Sequence, residues 1–512
     1  MTGTPSPLDV ERFRALVARG LGLNFDDTKL GFLGEILRER AETNRHTCKS
    51  YLDRLEGQSS PNDEVTAVAE KLTVGETYFL RNVEQFRVFA DVALPDRMRA
   101  REAHRSLRIL SAGCASGEEP YSLAMLLLQH VREPGWDVSL RAVDINPSSL
   151  KKAAKARYAA WSLRETPMEV QRRWFKADGR EFTLDEAVRR AVAFERRNLA
   201  DESSDLWRPE SQDIVFCRNV IMYFTPENAQ ALIRRIGRLL APGGYLFLGH
   251  AETLRGLSQD FHLFHTHGTF YYQRKAVPEG FPPAPEVPWE RGPLTAATPP
   301  VAAPNGAATW VETIQHATDR IQALVANPAP PVEGAQPDAP RPSPPVWDLQ
   351  FVLEMVRRER FADALQMLRA LPPESERDRD VLLLHAALLT QTGQLGAAER
   401  LCAKFIEADE LNAGAHYLIA LCREGSGDCC GAIEHDQVAA YLDPEFAMPR
   451  LHLGLLARRA GERDAAGHEL AQALLLLQRE EASRLLLFGG GFSRDALIGI
   501  CRAELALCGG HR

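Results

Sequence analysis

The sequence predicts an α/β protein with an all-α amino-terminal domain, a mainly parallel sheet, a proline-rich linker and a carboxyl-terminal helical repeat. Three observations lead to this prediction. A glycine turn at 111–122 joins an apolar strand to an apolar helix, strands alternate with helices from 107 to 274, and a 34-residue period appears beyond residue 359. Alternating strands and helices indicate a parallel sheet covered by helices on both faces.

Residues 1–80 are predicted to form the amino-terminal helical domain. Apolar side chains recur there at the spacing of amphipathic helices. They are Leu8, Phe13, Leu16, Val17, Leu30, Leu33, Ile36 and Leu37.

Residues 81–275 are predicted to form the sheet domain. Its expected helices cover 117–130, 147–156 and 226–240, and Ala241-Pro-Gly-Gly244 is expected to be a tight helix-to-strand turn. The expected strands are 107–112, 138–144, 193–199, 213–218, 245–250 and 269–274.

The segment 276–346 is predicted to be an extended linker, because 17 of the 32 prolines fall between 277 and 346. One stretch in it, 309–326, has its apolar residues on one helical face. Beyond the linker, Gly393, Gly427 and Gly461 are each followed five positions later by an alanine, with a period of 34 residues. This pattern resembles the tetratricopeptide repeat (TPR) and predicts four helix pairs over 347–480, with a capping segment at 481–512.

The composition excludes several classes of protein. The net charge of −8 and the lack of a basic tract argue against a nucleic-acid partner. Nine cysteines without paired spacing predict neither a disulfide framework nor a metal site. The amino terminus shows no signal-peptide pattern, and no apolar run reaches the roughly 20 residues of a membrane span. We therefore expect a cytoplasmic protein without membrane insertion.

The glycine turn at 111–122 predicts the kind of ligand. Such a turn brings backbone N–H groups to the carboxyl edge of the sheet. Here it ends in Glu118 and Glu119 rather than in Lys-Ser/Thr. Carboxylates repel phosphate but accept hydrogen bonds from hydroxyl or ammonium groups, so a nucleoside with a positive or zwitterionic tail is favoured. We expect Glu119 to contact this ligand and Glu118 to cap the following helix.

Other polar residues follow strands that end at the same edge. Asp144 ends the second strand, where an acidic residue accepts hydrogen bonds from ribose hydroxyls, although it could equally cap the next helix. The remaining candidates are Asn198-Leu199 at the end of the third strand, Arg218-Asn219 at the end of the fourth, and Tyr223 soon afterwards. Upstream, Thr77, Phe79 and Arg81 have an ordinary explanation as a helix cap, a core aromatic and a surface charge.

Taken together, five motifs over residues 8–275 resemble the CheR family of chemoreceptor glutamate methyltransferases. They are Thr77-x-Phe79-x-Arg81, Gly117-Glu-Glu-Pro-Tyr-Ser122, Asp144, Asn198-Leu199 and Cys217-Arg-Asn-Val-x-x-Tyr-Phe224. The carboxyl-terminal repeats are similar to those of the family branch with a TPR extension.

The resemblance implies a class I, Rossmann-like methyltransferase fold with a small antiparallel β-subdomain. It also implies methyl transfer from S-adenosylmethionine to receptor glutamates in chemosensory adaptation, forming glutamyl methyl esters. Tyr223 matches the active-site tyrosine. Gly75 stands where the family often has asparagine, so only a weak backbone contact is expected there. The other implied cofactor contacts are Thr77, Arg81, Glu119, Asp144, Asn198, Leu199, Arg218 and Asn219.

The implied protein partners are chemoreceptor cytoplasmic domains, with the enzyme located at receptor arrays, and a further partner for the repeats. Arg38, Arg45 and Lys49 are candidates for receptor contact on one helical face, although Glu42 beside them fits an ordinary solvated surface. The β-subdomain is expected at 174–197, where the charged loop 176–187 favours recognition that does not depend on a receptor's terminal pentapeptide.

Two alternatives to this function stay open at the level of sequence. The same fold could methylate another substrate, since a fold does not fix its substrate. The chain could also be a non-catalytic TPR scaffold whose methyltransferase domain senses the cofactor.

Overall fold

The computed structural model describes residues 5–57, 63–73, 75, 77–276, 352, 354–356, 358, 360–369, 379–490 and 492–509. The chain divides into two compact units, Met1–Glu279 and Gly280–Arg512. The predicted linker beyond residue 276, with its candidate helix at 309–326, lies outside the described residues.

Four helices form the amino-terminal domain: α1 (Pro7–Leu21), α2 (Leu30–Thr43), α3 (Cys48–Glu56) and α4 (Asp63–Leu72). Ser6 begins α1 by a reciprocal capping box with Asp9. Phe13, Val17 and Leu33 are buried in the shared core. Leu8 also lies in α1, as the spacing predicted, but it is 72% exposed on the outer face of the helix.

The predicted single face for Arg38, Arg45 and Lys49 was also wrong. The helix α2 ends at Thr43, and Arg45 occupies a left-handed turn with φ 57° before α3 begins. The three basic residues are exposed, but they lie on α2, on the turn and on α3. They therefore do not form one helical stripe.

The second part of this unit contains ten strands and seven helices. The helices are α5 (Val83–Val88), α6 (Leu94–Ala100), α7 (Glu118–His130), α8 (Pro147–Lys155), α9 (Met168–Trp174), α10 (Glu186–Arg190) and α11 (Pro226–Leu239). The strands are β1 (Ser106–Ala112), β2 (Asp137–Asp144), β3 (Arg157–Ala159), β4 (Phe175–Asp178), β5 (Glu181–Leu184), β6 (Val192–Arg196), β7 (Gln212–Cys217), β8 (Leu240–Leu248), β9 (Phe261–Thr266) and β10 (Thr269–Arg274).

Seven strands form the central sheet in the order β6-β2-β1-β7-β8-β10-β9. The first five are parallel, whereas β10 pairs antiparallel with both β8 and β9. The α/β prediction is confirmed. The order reverses at β1, so the carboxyl ends of β1, β2 and β7 flank the crevice where ligands bind in open α/β sheets.

Three details of the predicted strands were wrong. Strand β9 was not predicted, because His262 and His265 interrupt its apolar pattern. The expected turn at 241–244 is a break in register within β8, where the pairing passes from Gln212–Leu240 to Ile214–Tyr245. Strand β6 ends at Arg196, so Asn198 and Leu199 belong to the loop that follows it.

The small antiparallel sheet has the order β3-β5-β4. Strands β4 and β5 meet at a tight turn in which Gly179 has φ 65°, a conformation that glycine adopts without strain. The predicted β-subdomain is therefore present, but its strands lie between residues 157 and 184 rather than over 174–197.

In the second unit, the described residues form helices. They are α12 (Phe361–Arg369), α13 (Arg379–Gln391), α14 (Leu395–Ala408), α15 (Ala413–Gly425), α16 (Cys429–Leu442), α17 (Ala447–Arg459), α18 (Arg463–Leu477), α19 (Ala482–Phe488) and α20 (Arg494–Gly509). None of the described helices of the chain is long and apolar enough to cross a membrane.

The 34-residue period corresponds to helix pairs. Gly393, Gly427 and Gly461 lie between the helices of three successive pairs, with φ of 75°, 87° and 83°. The alanines five positions later, Ala398, Ala432 and Ala466, have no exposed surface, and neither has Ala364 of α12. Small residues at these positions let the two helices of a pair cross closely.

Candidate active site

A crevice lies at the carboxyl edge of the central sheet, against the amino-terminal helices. It consists of two adjoining cavities. The first, of about 530 Å³, has largely apolar walls that include Phe25, Ile145 and Leu199. The second, of about 350 Å³, is more polar. Both cavities are lined by Gly113, Ala115, Asn219 and Tyr223, so these residues mark their junction.

The glycine turn forms the floor of this junction. Gly113 has φ 78°, and a Cβ atom there would lie 2.4 Å from Cγ2 of Val220. Only glycine therefore fits without displacing the loop that carries Asn219 and Tyr223. The amides of Gly113 and Cys114 donate to the carbonyl of Val143, at 2.8 and 3.0 Å.

Asp144 faces the apolar cavity from the end of β2. Its Oδ2 accepts from the amide of Ala115 at 2.8 Å, and its Oδ1 accepts from the amide of Asn146 at 2.8 Å. Burial raises the pKa of Asp144, and these amides oppose the rise. Each carboxylate oxygen can accept a further hydrogen bond. The predicted ribose acceptor is thus held in place by the glycine turn.

Glu119 and Arg218 form a buried pair at the polar cavity. Oε1 of Glu119 accepts from the Ser111 hydroxyl at 2.8 Å, and Oε2 lies 3.4 Å from Nη1 of Arg218. Burial raises the pKa of Glu119, whereas the charge of Arg218 lowers it. Nη2 of Arg218 also donates to the Arg81 carbonyl at 2.5 Å. Arg218 therefore joins β7 to the segment that carries Arg81.

Glu118 has a different environment from its neighbour. Its side chain is buried and accepts from the hydroxyls of Ser116, at 2.7 Å, and Ser162, at 3.2 Å. The first helical turn has no side-chain cap. The expected capping role was wrong, and Glu118 instead ties the glycine turn to the 160–163 segment.

Besides Arg218, two more arginines, Arg81 and Arg164, line the polar cavity together with Thr77 and Tyr78. The guanidinium carbon of Arg164 lies 3.7 Å from the centre of the Tyr78 ring, and that of Arg81 lies 5.8 Å from it. Among the described residues neither arginine is ion-paired with a carboxylate. Both cations therefore remain available to an anionic group of a ligand.

Asn198 and Leu199 form part of the wall shared with the amino-terminal domain. The Asn198 amide group donates to the Gly20 carbonyl, and its Oδ1 accepts from Ala200, each at 2.9 Å. Leu199 is buried. Since the Asn198 side chain is already hydrogen-bonded at both ends, it fixes the wall.

Tyr223 projects from the loop after β7, and its side chain is 43% exposed. The loop is held from two sides. The Asn24 amide donates to the Tyr223 carbonyl at 2.7 Å, and Leu23 pairs with Phe224 in an isolated antiparallel bridge. The amino-terminal domain thus helps to position the tyrosine.

Glu252 holds the same loop from within and was missed at the sequence level. Its buried carboxylate accepts from the amides of Asn219 at 2.7 Å, Val220 at 2.8 Å and Met222 at 3.2 Å. Burial raises its pKa, and those amides oppose the rise. One feature of the sequence could have indicated it: Glu252 is an acidic residue four positions after Leu248, where the last parallel strand, β8, ends.

The structure brings nine of the ten predicted site residues to the crevice walls; the exception is Gly75. Gly75 is exposed, and the nearest atom to a Cβ there would be the hydroxyl of Ser149 at 3.2 Å. The individual roles of the nine residues stay predictions.

Comparison with known proteins assigns the family. Residues 75–270 match the model of the CheR methyltransferase SAM-binding domain. Chemotaxis protein methyltransferase 2 of Vibrio cholerae is 34% identical over 259 residues, which cover 50% of this chain and 88% of the relative. The chain belongs to the CheR methyltransferase family. It is an S-adenosylmethionine-dependent methyltransferase of chemosensory signalling, as the sequence predicted.

The similarity of one CheR relative extends into the second unit. The probable biofilm formation methyltransferase WspC of Pseudomonas putida is 29% identical over 473 residues, covering 90% of this chain and 99% of that protein. A TPR protein of Thermus thermophilus is 20% identical and covers 31% of this chain and 89% of its own, with a TM-score of 0.25. That score is too low to support an argument about the fold of the repeat unit.

The residues of the CheR crevice fit S-adenosylmethionine, which combines a nucleoside with an amino-acid tail. The apolar cavity offers Asp144 as a hydroxyl acceptor beside Ile145 and Leu199. The polar cavity offers both a carboxylate, Glu119, and the two arginines. A nucleotide triphosphate would meet the carboxylates of the turn instead. The donor set therefore matches a ligand with an uncharged ring and a zwitterionic end.

Proposed function

We propose that this CheR-family enzyme methylates glutamate side chains in the cytoplasmic domains of chemoreceptors and forms glutamyl methyl esters. The observation that carries the proposal is the place of Tyr223. It lies at the junction of the two cavities and is 43% exposed, so a side chain of a partner protein can reach it.

The chemistry needs alignment rather than a strong base. A glutamate carboxylate is ionised near neutrality, with a reference pKa of about 4.3. When bound, S-adenosylmethionine would supply the methyl group: such a carboxylate oxygen would form a bond to the methyl carbon as the carbon–sulfur bond breaks, and S-adenosylhomocysteine would leave as a neutral thioether. The task of the enzyme is to hold the carboxylate in line and to exclude water from it.

In this proposal Tyr223 orients the substrate. Its hydroxyl donates a hydrogen bond to one carboxylate oxygen and leaves the other oxygen free to react. A full salt bridge would hold the negative charge in place and oppose its loss during the transfer. A neutral hydroxyl opposes that loss less, because hydrogen bonds between a charged and a neutral group are weaker than ion pairs at short range.

The cofactor residues divide between the two cavities. We assign the ribose hydroxyls to Asp144 and the adenine ring to the apolar wall that contains Leu199. We assign the ammonium group of the amino-acid end to Glu119 and its carboxylate to Arg81. Arg218, Asn198 and Glu252 position these residues, since their side chains are hydrogen-bonded to the protein itself.

The choice of partner is supported by the relatives, which are named as chemotaxis protein methyltransferases and as a biofilm formation methyltransferase. Receptor cytoplasmic domains are accordingly the proposed substrates, and the enzyme would work in the cytoplasm at receptor arrays. The TPR-like pairs would supply a second contact with a protein, since stacked helix pairs offer a concave surface for peptides.

The proposal is tested by transfer of labelled methyl groups from S-adenosylmethionine to candidate receptor cytoplasmic fragments. The full chain and a 1–275 fragment are compared. We expect label on the receptor fragment that is released by mild base, because carboxyl methyl esters hydrolyse readily. Label found only on small molecules, or no label with any receptor fragment, would refute the proposal.

A further inference from the structure

The short helix α19 lies across the first helices of three successive pairs in the repeat unit. Its last residues touch α13, α15 and the start of α17, which are the first members of their pairs. In a stacked array the first helices share one face, so α19 lies on that face. The face is lined by Leu383, Gln391, Gly414, Tyr417 and Phe446, and we call it the groove.

Phe488 is the main apolar contact of α19 with the groove. Its ring lies 5.2 Å from that of Phe446 and 6.1 Å from that of Tyr417, both edge to face. Its Cζ atom would lie 2.8 Å from a Cβ atom on Gly414. The groove thus has a space that is matched to an aromatic ring, and glycine is required to leave that space open.

The groove also contacts the backbone of α19. Gln391 donates to the Leu487 carbonyl at 2.8 Å, and the Tyr417 hydroxyl donates to the Phe488 carbonyl at 3.4 Å. The last carbonyl groups of a helix have no partner within the helix. Here two groove side chains satisfy them, as they would for a bound peptide.

A single basic side chain completes the contact. Nη2 of Arg484 lies 3.0 Å from Oδ2 of Asp443, and its guanidinium carbon lies 5.2 Å from the centre of the Phe446 ring. Arg484 and Phe488 are four residues apart and so lie on the same face of the helix. Both therefore meet Phe446.

The last helix, α20, covers the end of the array. It packs on α18 and α17, with Leu497 and Cys501 buried and with Glu504 ion-paired to Arg458 of α17. Three glycines, Gly489-Gly-Gly491, separate it from α19. A helix of seven residues is unstable in isolation, so α19 exists only while the groove holds it.

We propose that the groove is a peptide-binding site and that α19 is its intramolecular ligand. The external partner is a short helical peptide of the same chemistry, with an arginine and, four residues later, an aromatic residue preceded by leucines. Such a peptide displaces α19, while α20 stays in place. Only a fraction of the molecules has the groove free of α19 at any time. The apparent affinity for the peptide is therefore the intrinsic affinity multiplied by that fraction.

Hydrogen exchange on the full wild-type chain tests whether α19 opens locally. We expect the amides of 485–489 to exchange at least tenfold faster than those of α18 and α20, since α19 leaves the groove while the array stays folded. Equal exchange of all three helices would show that α19 is a fixed part of the array and would overturn the proposal.

Peptide binding tests the chemistry of the partner. The probe is a fluorescein-labelled peptide with the sequence of residues 480–490, and the readout is fluorescence anisotropy with the full chain. We expect Phe488→Ala to bind the probe at least tenfold more tightly than wild type. Phe492→Ala, at an aromatic side chain that is 56% exposed, is the matched control and should bind like wild type.

The double variant Gly414→Ala, Phe488→Ala should bind the probe at least tenfold more weakly than Phe488→Ala alone, because the new methyl group occupies the space of the probe's phenylalanine ring. A Phe488→Ala chain that is folded but binds no more tightly than wild type would overturn the proposal. If Phe488→Ala does not fold, the exchange rates of the wild-type chain decide the question alone.

Discussion

Tyr223 combines a fixed backbone with an accessible side chain. Its backbone is fixed through Asn24 and through the loop that Glu252 holds, whereas its side chain is accessible. A fixed backbone places the hydroxyl, and the exposure allows a protein substrate to reach it. The role proposed for the tyrosine therefore depends on orientation and not on a change of its charge.

For Tyr223→Phe we expect turnover to fall about 10- to 100-fold, the effect of losing one hydrogen bond to a charged group. The dissociation constant of S-adenosylmethionine should stay within about twofold, because the ring remains. Steady-state methyl transfer and calorimetry measure the two quantities. Tyr245→Phe is the control, since that hydroxyl bonds Asp96, away from the crevice. An unchanged rate in Tyr223→Phe would remove the tyrosine from the mechanism.

For Asp144→Ala we expect S-adenosylmethionine to bind at least about tenfold more weakly, because the ribose loses a charged acceptor. Calorimetry measures the dissociation constant directly. Asp137→Ala, at the other end of the same strand, removes an exposed carboxylate and should leave binding unchanged. Normal binding by Asp144→Ala would refute the ribose assignment.

At the scale of elements, the glycines of the repeat show what the 34-residue period requires. Gly427 adopts φ 87° between α15 and α16, and no atom lies within 4 Å of a Cβ placed there. Glycine is therefore needed at this position for its backbone conformation, and not because a larger side chain would clash with a neighbour. Gly396 lies inside α14 with an ordinary helical backbone. The same substitution at the two sites should have opposite effects.

We expect Gly427→Ala to lower the free energy of unfolding by about 1 kcal/mol, because a left-handed backbone is costly for alanine. Gly396→Ala should raise it by about 0.5–1 kcal/mol, the difference in helix propensity. Urea unfolding of the full chain, followed by helical circular dichroism, gives both values. A loss of stability in both variants would show that packing governs these positions.

The repeat also contains a buried cluster of ionisable groups. His452 on α17 contacts Asp436 at 2.6 Å and Glu424 at 2.9 Å. Burial lowers the pKa of His452, but the two carboxylates raise it more, so the net shift is upward. Burial raises the pKa of Asp436 to about 6. Burial lowers the pKa of His416 to about 4 and also lowers the pKa of His435. In the unfolded chain both histidines titrate near the reference value of about 6.5, so their contribution to the pH dependence ends at about pH 7.5.

Above about pH 7.5 we expect the repeat to lose stability as the pH rises through the raised pKa of His452. The folded chain holds this proton more tightly than the unfolded chain, so His452 contributes a negative slope, at most about 1.4 kcal/mol per pH unit. Urea unfolding between about pH 7.5 and 8.5 measures it. His452→Gln should flatten the slope, and the exposed His468→Gln should keep it. A rise in stability over this range would contradict the assignment.

Local signals predicted most of these elements. The glycine turn, the helices α7, α8 and α11, and the positions of Gly393, Gly427 and Gly461 follow from spacing and turn chemistry that act within a few residues. Strand β9 depends on its pairing with β10, and the break in β8 depends on the pairing of β8 with β7. No local sequence pattern predicts these pairings. Glu252 was missed for the same reason, since its partners lie some thirty residues earlier in the chain.

On the scale of the whole molecule, almost all residues of the candidate site could be predicted from the sequence, and they lie within one unit. All nine crevice residues lie in Met1–Glu279 and come from motifs far apart in sequence. The parallel sheet explains their convergence, because the ends of β1, β2 and β7 meet at one edge. The helix α19 could not be foreseen, since its place depends on the array that it crosses. If the groove binds a peptide as proposed, the repeat unit has its own means of recognition.

The proposed reaction esterifies glutamate side chains of a receptor in the crevice. Mass-spectrometric mapping of receptor cytoplasmic fragments, incubated with S-adenosylmethionine and the full chain, is the sharpest test of this reaction. We expect the mass of one added methylene on glutamate side chains, removed by mild base and acquired more slowly with Tyr223→Phe. Methyl groups on lysine or arginine, or base-stable modification at any site, would contradict it.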